Sequence, residues 1–287
     1  MKSITTWKER AKKLLLVVVF AVVLGAFAAC GGSDEGRLEP NSDGITRIVI
    51  GATPRPHLEI LEYIRPFLLE DGIEIVTREF TDFHVVNPAL VDGALHANYF
   101  QHAPFMNQSP LADQLYMLGF VHVEPMGAYS LTLNSIEDLP HGATVAFPND
   151  AANGSRALLL MQLHGLLTVN PAPGALATVS DITYNPLELT FRELDAALLP
   201  AMLNDPGVDM AIINTNHVIA ATDLSPMRDS LIIEEIMGNP FANGLTILRE
   251  DRDHPVFATL LRHLQSQRVY DFIWREYDGA VVPVFRP

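Results

Sequence analysis

One arginine stands where a helix should begin in FPNDAANGSRALLLMQLHGLL (147–167). Asn149, Asp150 or Asn153 can cap a helix running from about Gly154 to His164, with Leu158–Leu160 and Leu163 on its buried side. Arg156 then falls in the first turn, where the helix dipole disfavours a cation. A guanidinium kept beside free backbone N–H groups suits carboxylate recognition; an exposed arginine paired with a nearby acid explains it equally well. Asn214 in AIINTNH and Asn243 in NPFANG leave or enter apolar runs, and a carboxamide there can hold either an ammonium or a carboxylate. Asn239, before Pro240, reads as a turn residue. ANYFQHAPF (97–105) brings together Tyr99, Phe100 and His102, which taken alone read as core.

Other chemistries find little support. There is no P-loop, GxGxxG, HExxH or GxSxG pattern, so phosphate cradling, zincin chemistry and a nucleophile elbow have no basis. Ten histidines are present, with His57, His84, His96, His102 and His122 in the first half, but their spacing fits no helix-borne ligand pair. No metal site is expected. Glu234 and Glu235 are adjacent and would diverge on a strand, which argues against paired-carboxylate catalysis. The chain is expected to be neither an enzyme nor a cofactor carrier.

The elements that must position these residues alternate between β-rich runs and amphipathic helices. ITRIVIGA (45–52), IEIVTREF (73–80), LTFREL (189–194) and VDMAIINT (208–215) read as strands. Helical spacing marks HLEILEYIRPFLLEDG (57–72), with a kink expected at Pro66, then AALLPAMLND (196–205), HPVFATLLRHLQSQ (254–267) and RVYDFIWREY (268–277). This alternation predicts an α/β fold with mostly parallel sheets, in which ligands collect at the carboxyl ends of strands.

The net charge is −15, with five basic residues and one acid in the first 13 positions. The remainder carries 14 basic and 33 acidic residues, a balance of −19 that repels phosphate backbones, so nucleic acid is not an expected partner. Behind the basic start, LLLVVVFAVVLGAFAA (14–29) is too short for a typical membrane span and fits a secretory signal, residues 1–29. The only cysteine, Cys30, follows Ala28 and Ala29 and precedes Gly31, Gly32 and Ser33, a pattern that looks like a bacterial lipobox, although Phe27 stands where Leu is usual. Cys30 is therefore expected to carry a lipid anchor, with residues 30–44 as a flexible tether.

Several motifs now combine: GATPRPHLEILEYIRPFL, EFTDF, ANYFQHAPF, VHVEPMGAYS, VAFPNDAANGSRALLLMQ, AIINTNH and NPFAN. In this order the chain from Ile45 to Pro283 resembles the methionine-binding lipoproteins of bacterial ABC importers, the NlpA-type substrate-binding family. The resemblance implies a two-lobed periplasmic-binding-protein fold with the ligand in the cleft between lobes. It implies that Phe100 and His102 flank the ligand's thioether, with Phe83 at a position where the family often has Tyr. Asn153 and Arg156 would meet the carboxylate, and Asn214 and Asn243 would fix the α-amino and carboxylate groups. His217 in place of a commonly aromatic Tyr, and the absence of the usual proline in AANGS (151–155), leave room for D-methionine or another thioether amino acid.

The expected organisation is lobe 1 at 45–131 and 246–287 and lobe 2 at 132–245, with the chain softened near 127–133 and 238–246 by Gly127, Gly238 and Gly244. The expected function is a lipid-anchored receptor, facing the extracytoplasmic side, that captures L-methionine and delivers it to an ABC permease and its ATPase. A metal-capturing lipoprotein and a structural surface lipoprotein are the competing readings.

Overall fold

The computed structural model describes residues 38–287, so the leader, Cys30 and the start of the tether lie outside the described residues. After β1 (Thr46–Ala52) come α1 (Glu59–Glu70), β2 (Ile73–Glu79), α2 (Val86–Val91), β3 (Ala97–His102), α3 (Ala103–Gln108) and β4 (Leu115–Val123). Next are β5 (Gly127–Tyr129), β6 (Thr144–Pro148), α4 (Ala151–Leu163), the small pair β7 (Thr168–Val169) and β8 (Ile182–Tyr184), and β9 (Thr190–Leu194). The chain continues through α5 (Leu199–Met202), β10 (Met210–Ile213), α6 (Thr215–Ala221), α7 (Pro226–Asp229) and β11 (Ile232–Ile233). It closes with β12 (Ala242–Leu248), α8 (Pro255–Leu264), α9 (Gln267–Tyr277) and β13 (Val282–Pro283).

The strands form two main sheets. One has the order β13-β4-β12-β3-β1-β2, the other β11-β5-β10-β6-β9. Each is built on three parallel strands, β2-β1-β3 and β9-β6-β10, and the strands beyond them pair antiparallel. The antiparallel flanks come largely from strands whose sequences carry no clean alternation, such as the three-residue β5.

Both sheets are covered on both faces, which is why their central strands are apolar at successive positions. In β1, Ile48 and Ile50 face a core shared with Leu61 and Ile64 of α1, Phe257 and Leu260 of α8 and Ile273 of α9. Val49 points the other way, toward Val86 and Leu90 of α2 and Phe100. The second sheet repeats the division: Val145 and Phe147 pack with Leu158 and Met161, while Ala146 packs with Leu199 and Val218. Helix α9 buries Val269, Ile273 and Tyr277 at four-residue intervals, the spacing that puts them on one stripe.

The chain crosses between the sheets at 124–126 and at 234–241. Gly127 and Gly244 lie inside β5 and β12. A Cβ at Gly244 would stand 2.5 Å from the Gly119 carbonyl oxygen, so this glycine lets β12 approach β4 at a shift in register. Gly238, at φ 74°, does lie in the second crossing. Pro66 sits inside α1 without ending it.

Candidate ligand-binding site

Helix α4 starts three residues earlier than its sequence suggests. Asp150 is the cap, its carboxylate accepting from the Asn153 backbone N–H at 2.9 Å, and Arg156 falls in the second turn rather than the first. Leu158 and Leu160 are buried, whereas Leu159 and Leu163 are exposed, because the buried stripe also takes in Asn153, Arg156 and Ala157. Gly154 is required by the close packing of this first turn: a Cβ would lie 2.9 Å from the Pro148 carbonyl oxygen at the end of β6.

All seven residues singled out from sequence and resemblance line one small cavity: Phe83, Phe100, His102, Asn153, Arg156, Asn214 and Asn243. They come from distant elements, Phe83 before α2, Phe100 and His102 from β3, Asn153 and Arg156 from α4, Asn214 after β10, and Asn243 from β12. Six further residues complete the wall, His57, Gln101, Phe105, Glu124, Thr215 and Asn216. The free space is about 20 Å³, room for about one water.

The polar wall is fixed in orientation from one end. The Asn153 Nδ2 group donates to both Asp150 carboxylate oxygens at 3.1 and 3.0 Å, which turns its Oδ1 toward the cavity wall. That Oδ1 accepts from His102 Nε2 at 3.1 Å and from Asn214 Nδ2 at 3.0 Å. His102 Nδ1 accepts from the Phe105 backbone N–H at 3.1 Å, so the ring is held at both nitrogens. Burial, with the Arg156 charge nearby, pushes His102 down to about 3, so the ring is neutral at ordinary pH. Asn214 is left presenting Oδ1, a buried acceptor without a hydrogen-bond partner.

Arg156 is paired with an acid, as one reading of it expects, but it is buried rather than exposed. Its Nε and Nη2 donate to the Glu234 carboxylate at 2.7 and 2.6 Å, and Nη2 also donates to the Glu124 carbonyl at 2.8 Å. The guanidinium carbon lies 4.2 Å from the centre of the Phe241 ring. Nη1 is the group left to face a ligand. Asn243 Oδ1 accepts from His57 Nε2 at 3.2 Å, which leaves its Nδ2 as a donor.

The apolar wall is a triangle of rings. Phe83, Phe100 and Phe105 have centroids 5.8 to 5.9 Å apart, and Phe83 also packs on His217 at 4.9 Å. His217 is buried and pushed down to about 4 by that burial. Behind Phe83 and Phe105 opens a second cavity of about 450 Å³, lined also by His84, Asn87, Leu111 and Asp150. His102 serves the polar wall more than the ring triangle, since its Nε2 is spent on Asn153.

Donors on one side, acceptors on another and a ring surface beside them can enclose a small zwitterion with an apolar tail. Three buried groups, His57, His122 and Glu124, also bring potential metal-ligand atoms within 4.8 Å of one another. Sequence spacing could not show this cluster, because His57 lies in the helical turn before α1 while His122 and Glu124 lie at and just past the end of β4. The pairing of Glu234 with Arg156 was not visible for a similar reason: the two are 78 positions apart.

The chain is 36% identical over 280 residues to the methionine-binding lipoprotein MetQ of Bacillus subtilis (strain 168), covering 95% of this chain and 99% of that relative. It is 31% identical over 276 residues to the D-methionine-binding lipoprotein MetQ of Escherichia coli (strain K12), covering 95% and 98%. A solved nutrient binding protein from Burkholderia cenocepacia bound to methionine superposes with a TM-score of 0.78 at 37% identity, covering 83% of this chain and all of that one. Residues 48–285 match the NlpA lipoprotein family model, and the chain belongs to that family.

Proposed function

We propose that this protein is a lipid-anchored receptor of an ABC importer that captures L-methionine between two α/β lobes and hands it to a membrane permease. The observation that carries the reading is the single cavity in which Arg156 and Asn243 offer donors, Asn214 offers an unpartnered acceptor and three phenylalanines supply a ring surface. A thioether gains up to about 1.5 kcal/mol against aromatic edges, and a zwitterionic head needs charge-assisted bonds in a closed site. Relatives named for methionine or D-methionine binding support the ligand class.

The two sheets would be the cores of the lobes, and the crossings at 124–126 and 234–241 their hinge. A cavity this small cannot admit an amino acid as it stands, so the lobes separate to load and close on ligand that touches both. Phe83 and Phe105, between this cavity and the larger one, stand at the way in. Anchoring would run through Cys30 and would hold the binding body on the extracytoplasmic side. No helix among the described residues is long and apolar enough to cross a membrane.

Titration calorimetry with L-methionine, D-methionine and zinc chloride tests the reading. Stoichiometric heat with L-methionine and none with zinc is expected. Heat with zinc alone would replace it with a metal-capturing function built on His57, His122 and Glu124.

A further inference from the structure

Three large apolar side chains stand open at the edge of the first sheet. Phe120 of β4 is 43% exposed, Trp274 of α9 44%, and Val284, just past β13, 45%. They belong to one patch. The Val284 backbone N–H donates to the Val121 carbonyl at 3.0 Å, which sets residues 284–285 beside Phe120 along the sheet edge. The Tyr270 ring joins the two halves, its centroid 6.1 Å from that of Phe285 and 6.4 Å from that of Trp274. Exposed rings gathered in this way are a surface that takes a partner.

The chemistry of the patch suits a bilayer. Tyr and Trp join an apolar body to a polar tip, the combination that settles at the boundary between hydrocarbon and water. Helix α9 also carries Arg268 and Arg275, which lie over rings at 3.8 Å from Phe67 and 5.5 Å from Phe272. An arginine stem can follow an apolar surface while its head stays hydrated. Charge agrees. Residues 262–287 carry four arginines (Arg262, Arg268, Arg275, Arg286) against three acids (Asp271, Glu276, Asp278), a side-chain balance of +1, whereas residues 14–261 stand at −20. This end of the chain can approach anionic headgroups that the rest of the body repels.

The tether supplies the reach. Seven residues, 31–37, separate Cys30 from Leu38, so a lipid on Cys30 holds Leu38 within about 29 Å of the membrane. Leu38 packs against the same core that Phe272 and Phe285 cover. The corner where the tether joins the body leads to the patch. There the Thr46 N–H donates to the Gly72 carbonyl at 2.8 Å, Asp71 meets His263 Nε2 at 2.9 Å, and Gln265, two residues on, donates to the Phe120 carbonyl at 2.8 Å. We propose that Phe120, Tyr270, Trp274, Val284 and Phe285 form a membrane-docking surface, which seats the first sheet's side of the body on the headgroups of the bilayer that holds the anchor. The proposal rests on the lipid-anchored reading above and adds to it the face that the body turns to the membrane. A seated body keeps one orientation over the bilayer instead of the many that a flexible tether allows.

Trp274 makes the test direct. The chain holds two tryptophans, Trp7 and Trp274, and only Trp274 remains once residues 1–29 are removed. The processed, acylated protein is reconstituted into phosphatidylcholine–phosphatidylglycerol vesicles and floated on a density gradient. Its fluorescence is then compared between vesicles with ordinary and with brominated acyl chains, since bromine quenches only at short range. Brominated lipid should quench Trp274 severalfold. Phe120→Ser combined with Val284→Ser, two half-exposed positions that tolerate polar replacement, should float equally well and lose most of that quenching. Wild type that floats with Trp274 unquenched overturns the docking and leaves the anchor standing; if it also cross-links as a dimer through the patch, the surface belongs to a second copy. Wild type that fails to float overturns the anchored reading, and the docking with it. Full quenching in the double variant overturns the patch as the contact, and if that variant fails to fold, the wild-type quenching decides alone.

Discussion

Arg156 and Glu234, 78 residues apart, form a two-point ion pair at 2.7 and 2.6 Å with side chains only 3% and 11% exposed. The pair joins the second turn of α4 to the strip that follows β11, so the cavity's one cation is held in place before any ligand arrives. In the proposed complex a ligand carboxylate would meet a guanidinium that is already oriented, with Nε and Nη2 spent on Glu234 and the Glu124 carbonyl.

Arg156→Ala should weaken methionine binding by about 2–5 kcal/mol, as for removal of one partner of a buried charge pair. It should also lower stability by about 3–5 kcal/mol, because Glu234 is stranded. Arg156→Ala with Glu234→Ala should recover much of the stability and none of the binding. Denaturant melts and titrations of both variants check this, and unchanged affinity in Arg156→Ala would remove the carboxylate assignment.

Asn153 is the pivot between the Asp150 cap and the acceptor that Asn214 presents. Asn153→Ala should free the Asn214 carboxamide to rotate and leave His102 Nε2 without its partner. Methionine affinity should fall by about 1–3 kcal/mol, with circular dichroism unchanged. Full affinity would mean that this relay does not orient the site.

Stability should fall as the pH is lowered from about 6.5 toward 5. His57, His102, His122 and His217 are held at about 4, 3, 3 and 4, below the ordinary 6.5. In this window the unfolded chain binds more protons than the folded one, so each ring contributes a loss of up to about 1.4 kcal/mol per pH unit. Glu124 and Asp150, raised by burial, act in the opposite sense, but they are two groups against four rings. Urea midpoints across this range give the sign, and a midpoint that rises on acidification contradicts it.

How far the sequence carries depends on the range over which a residue's partner lies. Strands such as β1 and β2 and helices such as α9 were legible because their apolar spacing is local. The seven cavity residues were legible because motifs in order resemble a family, and Arg156 alone offered a physical hint through its place in a helix. That hint was shifted by one turn, since α4 starts at Ala151, capped by Asp150 of the three candidate caps, rather than at Gly154. Glu124, His57 and His122 were not legible. Glu124 and His57 are 67 positions apart, and only the adjacency of β1, β3, β12 and β4 in the sheet order brings them together. Glu234 read as half of an acidic doublet, while in the fold it faces inward and Glu235 faces out.

Phe83 separates the small cavity from the larger one behind it and packs on Phe100, Phe105 and His217. Phe83→Ala should merge the two spaces, weaken methionine by about 1–3 kcal/mol and narrow its advantage over bulkier amino acids. Competition assays with ethionine and phenylalanine against methionine measure this, and an unaltered order of preference would place the ligand's tail elsewhere.

The most direct measurement is native mass spectrometry of the protein, first as purified without added ligand and then after unfolding, refolding and incubation with L-methionine. The account predicts one methionine per chain in the incubated sample, displaced by no amine-free analogue and lost in Arg156→Ala. A chain that remains bare in the presence of excess methionine would contradict it.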